Sequence, residues 1–295
     1  MQDTKAIFAY SQDLDLIIRH VLAGLGHGIH AGRERGAGVE FSEYRAYAPG
    51  DEWRRVDWKL LARADRYFVR EAERDSHVAI WLWLDASASM AEESASVKGL
   101  SKLAYARIIL GCVAAIAQRQ GDAFGLIIAG DNRIQFTPAA RGPRQMHRIL
   151  AQLTRCEAKG GLPDEETVRA CLHFARAPSL IFAVSDFLEW PSAISEALIR
   201  LRRLQHDVRG LCLQTEAERQ ADFSLNINYC DPEQASGLVQ FTEQARQTYL
   251  YRSEQHFTSV KTQCRQNDIP FLICAIEQQV GAVLRAWLTL AGRAG

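Results

Sequence analysis

Charge of one sign is missing from this chain: 35 Lys and Arg residues stand against 35 Asp and Glu, and the formal net charge is zero. At that level nothing attracts nucleic acid or an anionic membrane surface. Long hydrophobic runs are missing too. No apolar segment approaches the ~20 residues that cross a bilayer, and the first residues lack the basic-then-apolar pattern of a secretory leader. The expectation is a cytoplasmic protein with no membrane insertion and no nucleic-acid partner. Cysteine occurs at Cys112, Cys156, Cys171, Cys212, Cys230, Cys264 and Cys274, but without a C-x-x-C pair or finger-like spacing, which excludes the common zinc and redox motifs. Most of these residues fall in apolar runs and are expected to be buried, reduced thiols. The P-loop, G-x-S-x-G and H-E-x-x-H signatures are absent. Dinucleotide binding finds no support, because the glycine-rich stretch Gly24 to Gly38 follows a helical pattern instead of a strand.

What remains is 295 residues with 47% hydrophobic content, enough for one large or two ordinary domains with a substantial core. The most informative stretch is Val78 to Met90. There the apolar run Val78-Ala79-Ile80-Trp81-Leu82-Trp83-Leu84 stops abruptly at Asp85-Ala86-Ser87-Ala88-Ser89. A strand apolar on both faces belongs in the middle of a parallel sheet covered by helices, and ligands of such sheets gather at the carboxyl ends of the strands. One carboxylate and two hydroxyls at alternate positions of the following loop can turn three hard oxygens toward one point, as a small divalent cation needs. The plainer reading is a polar loop with a helix N-cap, for which Asp and Ser are also preferred.

Along the rest of the chain, helical and strand patterns alternate. Leu14, Ile17, Ile18, Val21 and Leu22 mark a helix leading into the glycine-rich stretch. His20, His27 and His30 lie nearby; a metal reading rests only on the short gap between His27 and His30, against solvated loop histidines. Lys98 to Gln120 reads as a helix stopped by Gly121, and Ala123 to Ala129 as a strand that turns at Asp131-Asn132 into an edge hairpin. Pro143 opens a helix to about Arg155, and Asp164 caps another through Arg176. The buried strand Ser179 to Val184 ends in Ser185-Asp186, so Asp186 matches Asp85 in context. A helix from Ser192, a strand Val208 to Leu213, a less regular region Asp222 to Phe241, a long helix from Thr242 to about Gln266, a strand Ile269 to Ile276 and a helix Gln278 to Leu290 complete the pattern. The fold class expected is α/β, a doubly wound, mostly parallel sheet with helices on both faces. The boundaries expected are 1–75 for an N-terminal helix and arginine/aromatic-rich segment packed on the main domain, and 76–295 for the main domain.

That segment, Val39 to Asp75, is dense in arginine and aromatics, among them Trp53 and Trp58. RNA binding is one reading. Between Arg33 and Asp75, however, ten basic residues meet ten acidic ones, so the arginines have carboxylates such as Glu40, Asp51, Asp57 and Glu71 to pair with. A structural clamp of guanidinium groups on rings and carboxylates, with a tight turn at Pro49-Gly50, is favoured; a self-association surface is the other structural possibility.

Asp85-Ala86-Ser87-Ala88-Ser89 resembles the D-x-S-x-S motif of von Willebrand factor type A domains, the first element of their metal-ion-dependent adhesion site. The upstream run Gly38-Val39-Glu40-Phe41, Arg45-Ala46-Tyr47, Pro49-Gly50-Asp51, Val56-Asp57-Trp58, Ala62-Arg63 and Val69-Arg70-Glu71 is similar to the signature of a bacterial family, domain of unknown function fifty-eight. The resemblance extends over nearly the whole chain from about Leu14. It implies a type A-like fold and a chaperone-like interaction module that works with a MoxR-type AAA+ ATPase and a client protein. It also implies a Mg²⁺ or Mn²⁺ site built on Asp85, Ser87, Ser89 and Asp186. The remaining element of such a site is a threonine, usually in a G-G-T sequence, but here Gly160-Gly161 is followed by Leu162. Leucine has no oxygen to give, so either Asp164 or a water completes the shell or the site no longer binds metal.

Two functions follow. One is a non-enzymatic, metal-assisted protein-interaction adaptor for assembly or maturation of other proteins, in which the cation takes a partner's carboxylate. The other is a metal-dependent phosphoesterase or nuclease using Asp85 and Asp186, with Arg141 or His147 approaching in space.

Overall fold

The computed structural model describes residues 13–29, 44–46, 68–70, 79–172, 178–224, 227–230 and 238–290. Its elements begin with α1 (Leu14–Ile29), the strands β1 (Tyr44–Ala46), β2 (Phe68–Arg70) and β3 (Ala79–Asp85), helix α2 (Lys102–Gln120), strands β4 (Phe124–Gly130) and β5 (Arg133–Ala140), and helices α3 (Pro143–Arg155) and α4 (Glu165–Cys171). They continue with β6 (Ser179–Ser185), α5 (Ala193–Arg203), β7 (Asp207–Gln214), α6 (Glu216–Gln220), β8 (Asn228–Cys230), β9 (Leu238–Gln240), α7 (Glu243–Gln266), β10 (Phe271–Ala275) and α8 (Val280–Thr289).

Six strands form one sheet in the order β10-β7-β6-β3-β4-β5, and every neighbouring pair is parallel except β4 with β5. The apolar run that singles out β3 in the sequence is explained by this position. Ile80, Leu82 and Leu84 enter one buried cluster with α1, α2, α3 and α8, while Trp81 and Trp83 enter a second with α4, α5 and α7. Side chains alternate across a strand, so a strand with helices on both faces must be apolar at every position. This is the doubly wound sheet expected. On the first face Ile18 of α1 lies so close to Gly111 of α2 that a Cβ there would sit 2.3 Å from the Ile18 Cδ1; the glycine lets the two helices meet.

The hairpin from β4 to β5 turns through Asp131 and Asn132, with φ of 53° and 57°, the left-handed pair of a two-residue turn. Helix α2 starts four residues later than its apolar stripe suggests. A bridge pairs Glu93 with Ser101, and the Ser101 side chain then caps the helix by accepting the Ala104 N–H at 3.1 Å. Helix α4 runs from Glu165 to Cys171, and the expected continuation to Arg176 falls on residues 173–177, outside those described. The region read as less regular holds the antiparallel pair β8 and β9.

Contacts group the chain into two compact units, Met1–Gly26 with Val78–Gly295, and His27–His77. The second contains the antiparallel pair of β1 and β2. Most of the arginine/aromatic block falls in it, but the side chains of that block, among them Trp53 and Trp58, the Pro49-Gly50 turn, and the side chains of His27 and His30 lie outside the described residues. Six cysteines are free and buried; burial pushes the thiols of Cys112, Cys264 and Cys274 up to about 12. The Cys230 side chain is outside the described set. No helix among the described residues is long and apolar enough to cross a membrane.

Candidate functional site

Because the five inner and flanking strands run in parallel, Asp85, Gly130, Ser185, Gln214 and Ala275 all end at one edge of the sheet. The register pairs Leu84 with Val184, which brings the residues that follow, Asp85 and Ser185-Asp186, side by side. The Ser185 hydroxyl donates to Asp85 Oδ2 at 2.5 Å. The loop after β3 folds back on the same carboxylate: the Ser87 N–H and hydroxyl donate to Asp85 Oδ1 at 2.8 and 2.7 Å, and the Ser87 and Ser89 hydroxyls lie 3.1 Å apart. Asp85 is 2% exposed. Burial, and next the charge of Asp186, raise its carboxyl from 3.8 to about 7, against the lowering effect of its hydrogen bonds from Ser185 and Ser87.

Asp186 is equally committed. Its Oδ1 accepts the Leu188 N–H at 3.2 Å, and its Oδ2 accepts from the ammonium of Lys102 at 3.0 Å. The same ammonium lies 2.6 Å from Glu218 Oε1. Lys102 is 1% exposed, an exceptional state for a lysine. It is also the first residue of α2, where the positive end of the helix dipole disfavours a cation. Burial pulls its pKa down, but the charges of Asp186 and Glu218 outweigh that and hold the group charged, above its ordinary value. Glu218 is fixed in turn by the cap of α6, its Oε2 accepting the Thr215 N–H at 2.7 Å. Glu92, on the loop beside this group, has its carboxyl raised by partial desolvation and then by the charge of Glu218.

Of the residues singled out in the sequence, Asp85, Ser87, Ser89 and Asp186 share this edge. The Gly160-Gly161 loop also reaches it: Gly160 C=O accepts the Ala88 N–H at 2.8 Å, and Gly161 C=O accepts the Asn132 N–H at 3.0 Å. Leu162 instead packs on the second apolar cluster. Asp164 turns to its own helix, where its Oδ1 accepts the Thr167 N–H at 2.8 Å; that bond lowers its carboxyl. Lys102, Ser185 and Glu218 are the members that a motif search misses.

The donor set does not fit the divalent cation that the type A resemblance implies. Magnesium demands near-octahedral oxygen coordination. Leu162 offers no oxygen, Asp164 caps a helix, and one oxygen of Asp186 holds an ammonium. Among the described residues no group of three or more His, Cys, Asp and Glu is arranged to hold a metal ion.

Gly160 has a structural duty in this edge. Its φ is +62°, and a Cβ would lie 2.8 Å from the Asp131 Cα, whereas a Cβ on Gly161 would meet only Asn132 Oδ1 at 3.5 Å. Gly160→Ala is therefore expected to cost about 1–3 kcal/mol in urea denaturation, and Gly161→Ala well under half as much. Equal losses at the two positions would show that the backbone there is not held as described.

Comparison with known proteins gives the chain its place. Solved structures similar to it include BatB of Bacteroides thetaiotaomicron, with TM-score 0.43 and 13% identity over 71% of this chain and 94% of that one. The VWA domain of SpRpn10 is another, with TM-score 0.42 and 11% identity over 74% and 98%. Uncharacterized proteins of Mycobacterium bovis and Mycobacterium tuberculosis are 30% identical over 189 residues, covering 63% of this chain. The match spans 59% of the length of those relatives. Residues 43–259 match the family described as "Protein of unknown function DUF58", and with nearly three quarters of its length inside that match the chain belongs to the DUF58 family.

Proposed function

We propose that the chain is a non-enzymatic protein-interaction adaptor, docking a partner on the loops at the carboxyl edge of its sheet. The observation that carries this reading is that the polar cluster is closed while its rim is open. Asp85, Ser87, Asp186 and Lys102 are each 1–2% exposed, too deep for a substrate to reach, and their hydrogen bonds are spent on one another and on neighbouring loops. A phosphoesterase or nuclease using Asp85 and Asp186 would need those carboxylates open. What the cluster does is hold loop shape. Two residues beyond Asp186, on a backbone pinned by the bond from Leu188 N–H, the Leu188 side chain is 48% exposed; Glu92 and Glu93 are exposed on the loop after β3. An exposed leucine held on a fixed loop, with acidic side chains exposed elsewhere on the rim, suits a protein contact with a mixed apolar and basic surface.

The partner in this reading is a MoxR-type AAA+ ATPase, as the family resemblance implies, with the adaptor presenting a client protein for assembly or maturation. Tagged protein expressed in a bacterium that encodes such an ATPase is expected to retain it in at least one nucleotide state. Leu188→Glu is expected to cut recovery about tenfold, the loss of roughly 1.4 kcal/mol, with the melting temperature unchanged. Recovery of equal ATPase by wild type and variant would remove Leu188 from the interface, and recovery of none in any nucleotide state would remove the ATPase from the proposal.

A further inference from the structure

We infer that the ammonium of Lys102, held between Asp186 and Glu218, is the resident cation of this site and takes the role that a divalent metal would otherwise fill at the end of the sheet. The inference concerns what neutralises the cluster and stands whether or not a partner docks on the rim.

Three independent features lead to it. First, the ammonium is a built part of the molecule: its nitrogen is 3.0 Å from Asp186 Oδ2 and 2.6 Å from Glu218 Oε1, and the side chain is 1% exposed. Second, its position at the amino end of α2 is electrostatically unfavourable and costly to bury. A lysine is stable there only because two carboxylates from separate elements, the loop after β6 and the short helix α6, converge on it. Third, the residues that would have served a metal are turned to other tasks. Leu162 is packed among apolar side chains, Asp164 caps α4, and Asp186 Oδ2 accepts from the Lys102 ammonium. A dication entering between Asp85 and Asp186 would meet a fixed positive charge already hydrogen-bonded to Asp186, and it would find too few free oxygens.

The groups that bear on the ammonium come from several elements. Asp186 and Glu218 touch it, Glu92 lies close enough to feel its charge, and the Tyr249 hydroxyl of α7 senses both Lys102 and Glu218. With one covalent cation set among these carboxylates, the loop after β6 is tied to the start of α2 and to α6 without any exchangeable ligand. The edge then keeps its shape irrespective of metal supply, unlike a site whose loops order only when an ion is present.

The test is a metal titration of the full chain, first stripped with EDTA, by calorimetry and thermal melting in 0–10 mM magnesium or manganese chloride. Wild type is expected to give no saturable heat and a melting temperature constant within about 1 °C. Lys102→Ala, which frees Asp186 and Glu218, is expected to gain a metal-dependent rise of several degrees, as a ligand that binds only the folded state produces, and to be stabilised as well by ethylammonium, which returns the missing group. A saturable manganese heat in wild type, or a wild-type melting temperature that climbs with metal as the variant's does, overturns the inference. So does a folded Lys102→Ala variant that responds to neither metal nor amine. If that variant does not fold, the wild-type titration alone decides.

Discussion

Lys102→Met is expected to destabilise the protein by roughly 3–5 kcal/mol in urea denaturation at neutral pH, because removing one partner of a buried ion pair leaves uncompensated charge in a low-dielectric interior. An ion pair at the surface would give less than about 1 kcal/mol, so the size of the loss reports directly on burial. Methionine keeps most of the volume of the lysine side chain, which separates the charge effect from a packing defect. The carboxylates left behind are the cause, so neutralising them should reverse it. In Lys102→Met/Asp186→Asn/Glu218→Gln, the amide oxygens can still accept the N–H groups of Leu188 and Thr215, and most of the lost stability should return. If Lys102→Met costs under about 1 kcal/mol, the ammonium is not enclosed as described.

Trp287→Ala is expected to cost about 3–5 kcal/mol by the same measurement. The side chain is fully buried, and its ring meets Phe182 edge-on with centroids 4.9 Å apart. Its indole N–H donates to Gly210 C=O at 3.1 Å. Helix α8 is thereby fastened to β7 and β6, with a second tie where Arg209 donates to Leu288 C=O at 2.8 Å. Truncation leaves a cavity on the first face of the sheet and strips an acceptor of its donor. Trp287→Phe keeps much of the volume and loses the hydrogen bond, so its loss should be clearly smaller. Neither change should alter metal response, because both lie away from the Asp85 cluster. A cost below about 1 kcal/mol for Trp287→Ala would mean that α8 does not seal the sheet.

The parts of this molecule that were legible in its amino-acid order are those where one local rule decides the outcome. β3 was legible because both of its faces are buried, which demands an unbroken apolar run. The turn at Asp131-Asn132 was legible because those residues tolerate positive φ, and the end of α2 because Gly121, with φ of 77°, stops it. The neighbourhood of Asp85 and Asp186 followed from the strand-then-acid pattern shared by β3 and β6. The start of α2 was less legible, since an apolar stripe continues through Val97 and Leu100 while the chain there is still a loop bridged at Glu93 and Ser101. The charge chemistry of the site was hardest to see. Lys102 precedes Tyr105 and Ala106 by three and four positions and so continues the buried face of α2, a weak sign that a lysine is enclosed. Glu218 sits three residues after Thr215, the spacing of a capping box, but only the packing of α6 against the sheet edge turns that cap residue into the second anchor of an ammonium. Long-range convergence of three residues at positions 102, 186 and 218 has no signature in local order.

Which cation occupies the end of the sheet can be seen directly. Crystals grown in manganese chloride, with data collected where manganese scatters anomalously, would show it. The expected map has no anomalous peak between Asp85 and Asp186, and it has the Lys102 nitrogen within hydrogen-bonding distance of Asp186 and Glu218. A manganese peak bonded by Ser87, Ser89 and Asp186, with the lysine swung clear, would contradict it.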